Sequence, residues 1–334
     1  MEIVNSNSPK LIKIYDNEGN LTEQGENYRK LGLSTLSQNK FGVVILSGGQ
    51  GTRLGCDGPK GLFKICGLTL FEHHIKNIKS KEYSNMIKLF IMTSDNTHED
   101  VVAYFKSNNN FQLDVVFFKQ TSLTCTYEND EVIKINDMVL TAPNGNGDIF
   151  NSINKIDLHD IYAINVISVD NILAEILNPE FIGAFIEKKL DILSKSVKKL
   201  PNENVGIFTL NNGKIEVKEY SEMDNKEDYE CEGNICNHLF RTDFIKSMRD
   251  KKLPIHKAIK KIPKNIRDQI NKPEEVICIK KECFIFDAFL FTEKNMVMSV
   301  PRDKEFAPLK NSMTSSSDNP ETCTNAYKQK YQKN

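Results

Sequence analysis

The sequence predicts a three-layer α/β/α fold with a mixed, mostly parallel central sheet, and three observations carry that prediction. From Phe41 to about Lys199, apolar runs suited to strands alternate with amphipathic stretches suited to helices. Such alternation builds a parallel sheet covered on both faces. The first of these runs, Phe41 to Leu46, is apolar throughout and contains three β-branched residues, the profile of a central strand. It leads directly into a glycine-rich turn, and in folds of this kind ligands lie at the carboxyl ends of the strands.

Taken in order, residues 1 to about 27 are polar, carry Asn-Glu-Gly-Asn turn chemistry and predict a short peripheral segment. Lys88 to Thr93, Asp114 to Phe118 and Ala163 to Val169 read as strands, while Leu70 to Ser80, Glu99 to Ser107 and Pro179 to Lys189 read as helices. Val205 to Leu210, the Asn211-Asn212-Gly213 turn and Lys214 to Tyr220 predict a β-hairpin, which adds an antiparallel portion to the sheet. A helix is expected from Asp243 to Lys251, and late strands at Glu275 to Lys280 and Phe284 to Phe291. Beyond Lys310 the chain is polar and nearly free of large aliphatic residues, so it is expected to be loosely ordered. Three regions result: an N-terminal segment at 1–40, one large domain at 41–310 and a polar tail at 311–334.

With 334 residues, 39% of them hydrophobic and 27% charged, the chain has enough apolar material for a sizeable core. Its formal net charge of −1 gives no global field that would draw in nucleic acid or an anionic membrane. No stretch resembles a signal peptide or approaches the length of a spanning helix, so the protein is expected in the cytoplasm. The eight cysteines include no C-x-x-C pair, which argues against a disulfide framework. The spacing of Cys231 with Cys236 and of Cys278 with Cys283 leaves a zinc site conceivable, with ordinary reduced thiols the stronger reading.

The glycine turn carries the chemistry. In FGVVILSGGQGTRLGCDGPK, Phe41 to Lys60, the residues Gly48, Gly49, Gly51 and Gly55 let backbone N–H groups approach a ligand closely, as phosphate cradles require. Arg53 and Lys60 set a forked donor and a compact cation beside those amides. No Walker A sequence occurs, and Gly49, Gly51 and Gly55 are spaced one residue too widely for the dinucleotide fingerprint. A second glycine turn, PNGNGD from Pro143 to Asp148, offers backbone access at Gly145 and both amide edges at Asn146. Asp170 follows a strand, where a carboxylate is a natural Mg²⁺ ligand or, more plainly, a helix cap. Asp287 reads as a second ligand or as a buried group satisfied by backbone.

SGGQGTRLGCDGPKG closely resembles the signature loop of the eukaryotic UDP-N-acetylglucosamine pyrophosphorylases, and the preceding YRKLGLSTLSQNK resembles that family's lead-in. The resemblance extends from Tyr28 to Lys310 and implies a Rossmann-like nucleotidyltransferase whose catalytic domain is 41–310. It implies a nucleotide site at Leu46, Gly48, Gly49, Gly51, Thr52, Gln120 and Gly145, with Gln120 reading the uracil edge. It further implies catalytic cations at Arg53, Lys60 and Lys310, the last within EFAPLKNS, and a Mg²⁺ ligand at Asp170 within DNIL. Asn146, Gly206, Glu219 and Asn237 match positions that line the sugar pocket, whereas Asn144 and Asp148 replace the family's usual Asp and Gly. His238 is read as structural, since transfer between anions needs no protein base.

The function so implied is Mg²⁺-dependent transfer of a uridylyl group from UTP to N-acetylglucosamine 1-phosphate by a monomer or weak homo-oligomer. UTP:glucose-1-phosphate uridylyltransferase is the nearest alternative, because its loop shares a piece similar to Gly55 to Lys60. A catalytically inactive nucleotide-sugar-binding regulator and, more remotely, a dehydrogenase complete the set.

Overall fold

The computed structural model describes residues 2–201, 203–219, 230–262, 267, 270 and 276–331. Strands β1 (Glu2–Ile3) and β2 (Leu11–Lys13) precede helix α1 (Glu23–Gln38). Strand β3 (Lys40–Leu46) leads through the glycine turn to α2 (Leu70–Lys79), followed by β4 (Ile87–Thr93), α3 (His98–Ser107) and β5 (Val115–Lys119). The pair β6 (Ser122–Thr124) and β7 (Thr141–Pro143) comes next, then β8 (Ile161–Ser168), α4 (Pro179–Glu187) and β9 (Ile192–Lys198). A hairpin of β10 (Ile207–Asn211) and β11 (Lys214–Lys218) precedes β12 (Glu232–Arg241) and α5 (Thr242–Ser247). A second hairpin, β13 (His256–Lys261) with β14 (Ile277–Glu282), leads to β15 (Asn295–Ser299) and α6 (Pro320–Tyr331).

The principal sheet runs β2-β15-β9-β12-β8-β3-β4-β5. All neighbours in it are parallel except β12, which lies antiparallel to both β8 and β9. Val43, Ile45, Leu89 and Ile91 belong to the core on one face, and Val44, Phe90, Met92 and Val166 to the core on the other. Burial on both faces is why these strands read as unbroken apolar runs rather than alternating ones. The mixed, mostly parallel sheet expected from the sequence is present, and Asn212 and Gly213 turn the β10–β11 hairpin with φ of 51° and 77°. Among the described residues, no helix is long and apolar enough to cross a membrane.

Three local expectations are corrected. The N-terminal segment is not merely peripheral, because β2 joins the edge of the principal sheet beside β15 and β1 pairs with β10. Phe284 to Phe291 is not a strand but a 3₁₀ helix over Ile285–Phe291, opened by the Asp287 carboxylate accepting from the Phe284 N–H at 3.2 Å. A short buried apolar run does not by itself distinguish the two states. The polar stretch beyond Lys310, read as loosely ordered, contains α6, whose first turn is capped by Asn319 accepting from the Thr322 N–H at 2.8 Å. Cys323 and Tyr327, one turn apart, bury its inner side, and the Lys330 ammonium reaches Glu175 at 2.6 Å.

The lead-in helix α1 packs against α4 at backbone contact. A Cβ at Gly32 would fall 1.8 Å from the Pro179 carbonyl oxygen, and one at Gly183 would fall 1.8 Å from that of Tyr28. Each glycine therefore exists to admit the facing helix. Gly183→Ala is expected to force the helices apart and to cost about 3 kcal/mol, the upper range for overpacking. Urea denaturation measures it, and a loss below about 0.5 kcal/mol would contradict the contact.

Candidate active site

The parallel pairing of β3 with β8 brings Leu46 opposite Ser168. Whatever follows those two strands therefore emerges at one level of the sheet. After β3 the chain turns back on itself through Gly51 N–H to Gly58 O at 2.8 Å and Lys60 N–H to Gly49 O at 3.1 Å. Among the described residues, the N–H groups of Gly48 and Gly49 have no protein acceptor, and a Cβ at Gly49 would meet nothing within 4 Å. The turn so presents open donors at a strand end. Thr52 and Arg53 lie in a single 3₁₀ turn over Thr52–Leu54 and are exposed. Arg53 makes no ion pair among the described residues.

After β8, Asp170 faces this loop. Its Oδ2 accepts from Lys60 Nζ at 3.1 Å and its Oδ1 from Ser168 Oγ at 2.7 Å. Burial pushes the Asp170 carboxyl upward, but the Lys60 ammonium, the Ser168 hydroxyl and the Lys310 ammonium outweigh it and hold the group below the ordinary carboxylate range. Lys310 is delivered from the other side, since the Leu309 N–H donates to the Asp170 carbonyl at 2.9 Å. Its ammonium lies 3.7 Å from Asp318 Oδ2 and donates to the Asn204 carbonyl at 3.4 Å. Lys60, Asp170 and Lys310 thus share one place.

Beside them opens a cavity of about 360 Å³, lined by Leu46, Gly48, Gly49, Gln120, Gly145 and Asn146 among others. Gly48 lets the Gln120 amide lie close against the turn, since a Cβ there would fall 1.8 Å from Gln120 Nε2. Gln120 Oε1 accepts from the Gly145 N–H at 3.0 Å, and Asn146 Oδ1 from the Ile285 N–H at 2.9 Å. Gly145 adopts φ of 91°, and a Cβ there would fall 2.5 Å from the Cys283 carbonyl oxygen. The two glycine turns expected from the sequence therefore line one cavity, with Gln120 between them, and Ser168 joins it to the Asp170 corner.

A third group sits beyond Lys310. Gly206 lies two residues after Asn204, and a Cβ on it would fall 3.1 Å from Glu219 Oε1. Burial, followed by the carboxylates of Asp170 and Glu219, pushes the Cys236 thiol up to about 12. Residues 220–229, which follow Glu219, lie outside the described residues. Asn237 departs from expectation. It is fully buried, its Nδ2 donates to the Glu175 carbonyl at 3.1 Å and its Oδ1 accepts from Asn165 at 2.7 Å, so its amide is committed to the core. Asn234, partly exposed and donating its N–H to the Gly206 carbonyl at 2.8 Å, is the amide on the Gly206 side.

Asp287 does not join Asp170, since it accepts from the Phe284 N–H and pairs with His256 Nε2 at 3.0 Å. His238 is fully buried, with Nδ1 at 2.9 Å from Ser194 Oγ, and burial pushes it down to about 3, so it stays neutral. Among the described residues, no group of three or more His, Cys, Asp or Glu is arranged to hold a metal ion, the cysteine pairs included.

Residues 5–324 match the family described as UTP--glucose-1-phosphate uridylyltransferase. The chain belongs to this uridylyltransferase family. Within it, the chain is 51% identical over 326 residues to a probable UDP-N-acetylglucosamine pyrophosphorylase of Encephalitozoon cuniculi, covering 97% of this chain and 96% of that protein. It is 35% identical over 346 residues to the UDP-N-acetylglucosamine pyrophosphorylase of Saccharomyces cerevisiae, covering 92% of this chain and 72% of that one. Its fold is similar to the crystal structure of the uridine diphosphate N-acetylglucosamine pyrophosphorylase from Trypanosoma brucei, with a TM-score of 0.83 at 29% identity over 95% of this chain and 71% of that one.

One residue of this uridylyltransferase-family chain matters more than its sequence suggested. Asp148, noted only as a departure from the usual glycine, is buried and accepts from the Thr121 N–H at 2.6 Å, Asn144 Nδ2 at 3.0 Å and Ser152 Oγ at 2.6 Å. It fastens the second glycine turn to the segment that carries Gln120. Asp148→Ala strands those donors and is expected to cost about 3 kcal/mol of stability. Thermal or urea unfolding checks this, and a loss under about 0.5 kcal/mol would contradict the role.

Proposed function

We propose that the protein transfers the uridylyl group of UTP to N-acetylglucosamine 1-phosphate, giving UDP-N-acetylglucosamine and pyrophosphate. The observation that carries this reading is the junction at Ser168, which lines the nucleotide-sized cavity and donates to the carboxylate that Lys60 and Lys310 flank. In this reading Gln120, Gly145 and Leu46 hold the uridine, and Gly48, Gly49, Gly51 and Thr52 hold the phosphates. Asn146, Gly206 and Glu219 face the sugar, with Asn234 taking the part first read onto Asn237.

The transfer is an in-line displacement. A phosphate oxygen of the sugar phosphate bonds to the α-phosphorus of UTP, the bond from that phosphorus to the α,β-bridging oxygen breaks, and the electron pair leaves with pyrophosphate. Arg53, Lys60 and Lys310 neutralise charge growing on nonbridging and departing oxygens, and no protein base is required. Mg²⁺, when bound, supplies further neutralisation of phosphate oxygens. Asp170 would hold it, because a single carboxylate at a strand end suits a cation that takes most of its ligands from substrate and water. Asp170 and Lys60 pair at 3.1 Å, and in this reading anionic phosphates give Lys60 a stronger partner and leave Asp170 to the cation.

The N-acetylated sugar is preferred to glucose because relatives at 51% and 35% identity carry that sugar in their names, although the wider family is described by glucose 1-phosphate. We read the chain as a cytoplasmic enzyme acting as a monomer or weak homo-oligomer. A pyrophosphate-release assay with UTP, Mg²⁺ and a panel of sugar 1-phosphates tests the proposal. The expected result is fastest turnover with N-acetylglucosamine 1-phosphate and a loss of about 10²-fold or more in Lys60→Ala. Faster turnover with glucose 1-phosphate would overturn the substrate, and near-normal turnover in Lys60→Ala would overturn its role.

A further inference from the structure

The hairpin that walls the nucleotide cavity carries charge that the reaction scheme above leaves unused. In β13 and β14, Ala258 lies opposite Lys280 and Lys260 opposite Cys278. Residues two apart share a face of a strand, so Lys260 and Lys280 are diagonal neighbours on the same face. Both line the 360 Å³ cavity together with Lys281, in company with Gly48 and Gly49 of the glycine turn.

This hairpin is fixed in place. Thr126 and Ile279 exchange backbone hydrogen bonds at 3.2 and 2.8 Å, and the Cys283 N–H donates to the Asn144 carbonyl at 2.6 Å. The Gly147 N–H returns a bond to the Cys283 carbonyl at 2.9 Å, so the hairpin and the second glycine turn form one wall.

Among the described residues, none of Lys260, Lys280 and Lys281 has an acidic partner within ion-pair distance, and Glu282 is the one carboxylate in the cavity lining. Lys257, on the opposite face of β13, behaves differently and lies 3.7 Å from Asp130. Lysines on a two-stranded hairpin ordinarily serve as solvated charges that discourage edge pairing. That explains Lys257, but it does not explain lysines turned onto a concave surface where their mutual repulsion is concentrated. An anion in the cavity would relieve that repulsion.

We propose that Lys260 and Lys280 form a cationic wall that binds the phosphates of the nucleoside triphosphate together with the glycine turn and so sets the affinity for UTP. The proposal rests on the reading of this cavity as the UTP site. Calorimetry on the full chain with two probes, UTP and uncharged uridine, tests it. Each of Lys260→Ala and Lys280→Ala is expected to weaken UTP binding about fivefold, the upper range for an exposed ion pair, and the double variant more than tenfold. Uridine affinity should stay within about twofold, Lys260→Arg/Lys280→Arg should restore most of the UTP affinity, and Lys257→Ala should bind UTP as the wild type does.

Two results would overturn the proposal: a double alanine variant that binds UTP within twofold of wild type, or one that loses UTP and uridine equally. Failure of the transferase reading would show elsewhere, in wild-type protein that binds UTP yet releases no pyrophosphate with any sugar phosphate.

Discussion

The ion pair between Lys60 and Asp170 is the constraint on which the site depends. It closes across two adjacent parallel strands, because the register that sets Leu46 beside Ser168 lets the turn after one strand meet the carboxylate after the other. Their side chains are 18% and 19% exposed, enough for solvent or a ligand to reach them. A pair so placed contributes little net stability, since desolvation offsets most of the attraction. In the proposed reaction its value is positional: the two opposite charges would exchange each other for phosphate and cation.

The remaining architecture serves that corner from two directions. Gln120 and Gly145 are locked to each other by one hydrogen bond and held in register by Asp148, so protein contacts alone shape that end of the cavity. The C-terminal segment holds Lys310, because the Asp318 carbonyl accepts the N–H groups of both Lys310 and Asn311 at 2.7 and 2.9 Å. That segment is fastened in turn by α6, through buried Cys323 and Tyr327 and the Lys330 to Glu175 ion pair. Burial pushes the Glu175 carboxyl upward, yet Lys330 and Lys81 overcome it and bring the group down to about 2, so it remains charged at neutral pH. Preorganised donors of this kind act on a transition state without reorganisation cost.

Much of this was legible in the sequence, for identifiable reasons. Strands such as Ile87–Thr93 and Ile161–Ser168 lie within about two residues of where their apolar runs placed them, because burial on both faces leaves an unbroken signal. The glycine turn was legible because its requirements are local: small residues, then cations at fixed spacing. Asn237 was carried over from the resemblance alone, and its segment offers two asparagines, Asn234 and Asn237, whose facing only the folded strand decides. The pairing of β12 with β9 shifts register between Ser194 and Ser196, and Cys236 adopts φ of 51°, so the side chains facing the pocket change along β12. The cavity lysines were missed because a lysine in a polar stretch looks like any solvated charge until the fold sets it on the rim of a cavity. The helix at the C-terminus was missed because two buried residues and one long lysine suffice to anchor it, too few to lift a polar composition.

The most direct measurement of the central claim is a crystal structure of the protein with UTP and Mg²⁺. The account predicts the triphosphate at the carboxyl ends of β3 and β8, with Lys60 moved from Asp170 onto a phosphate oxygen and Asp170 turned to the cation. A nucleotide bound away from the glycine turn, or bound there with the Lys60 to Asp170 contact still closed at 3.1 Å, would contradict it.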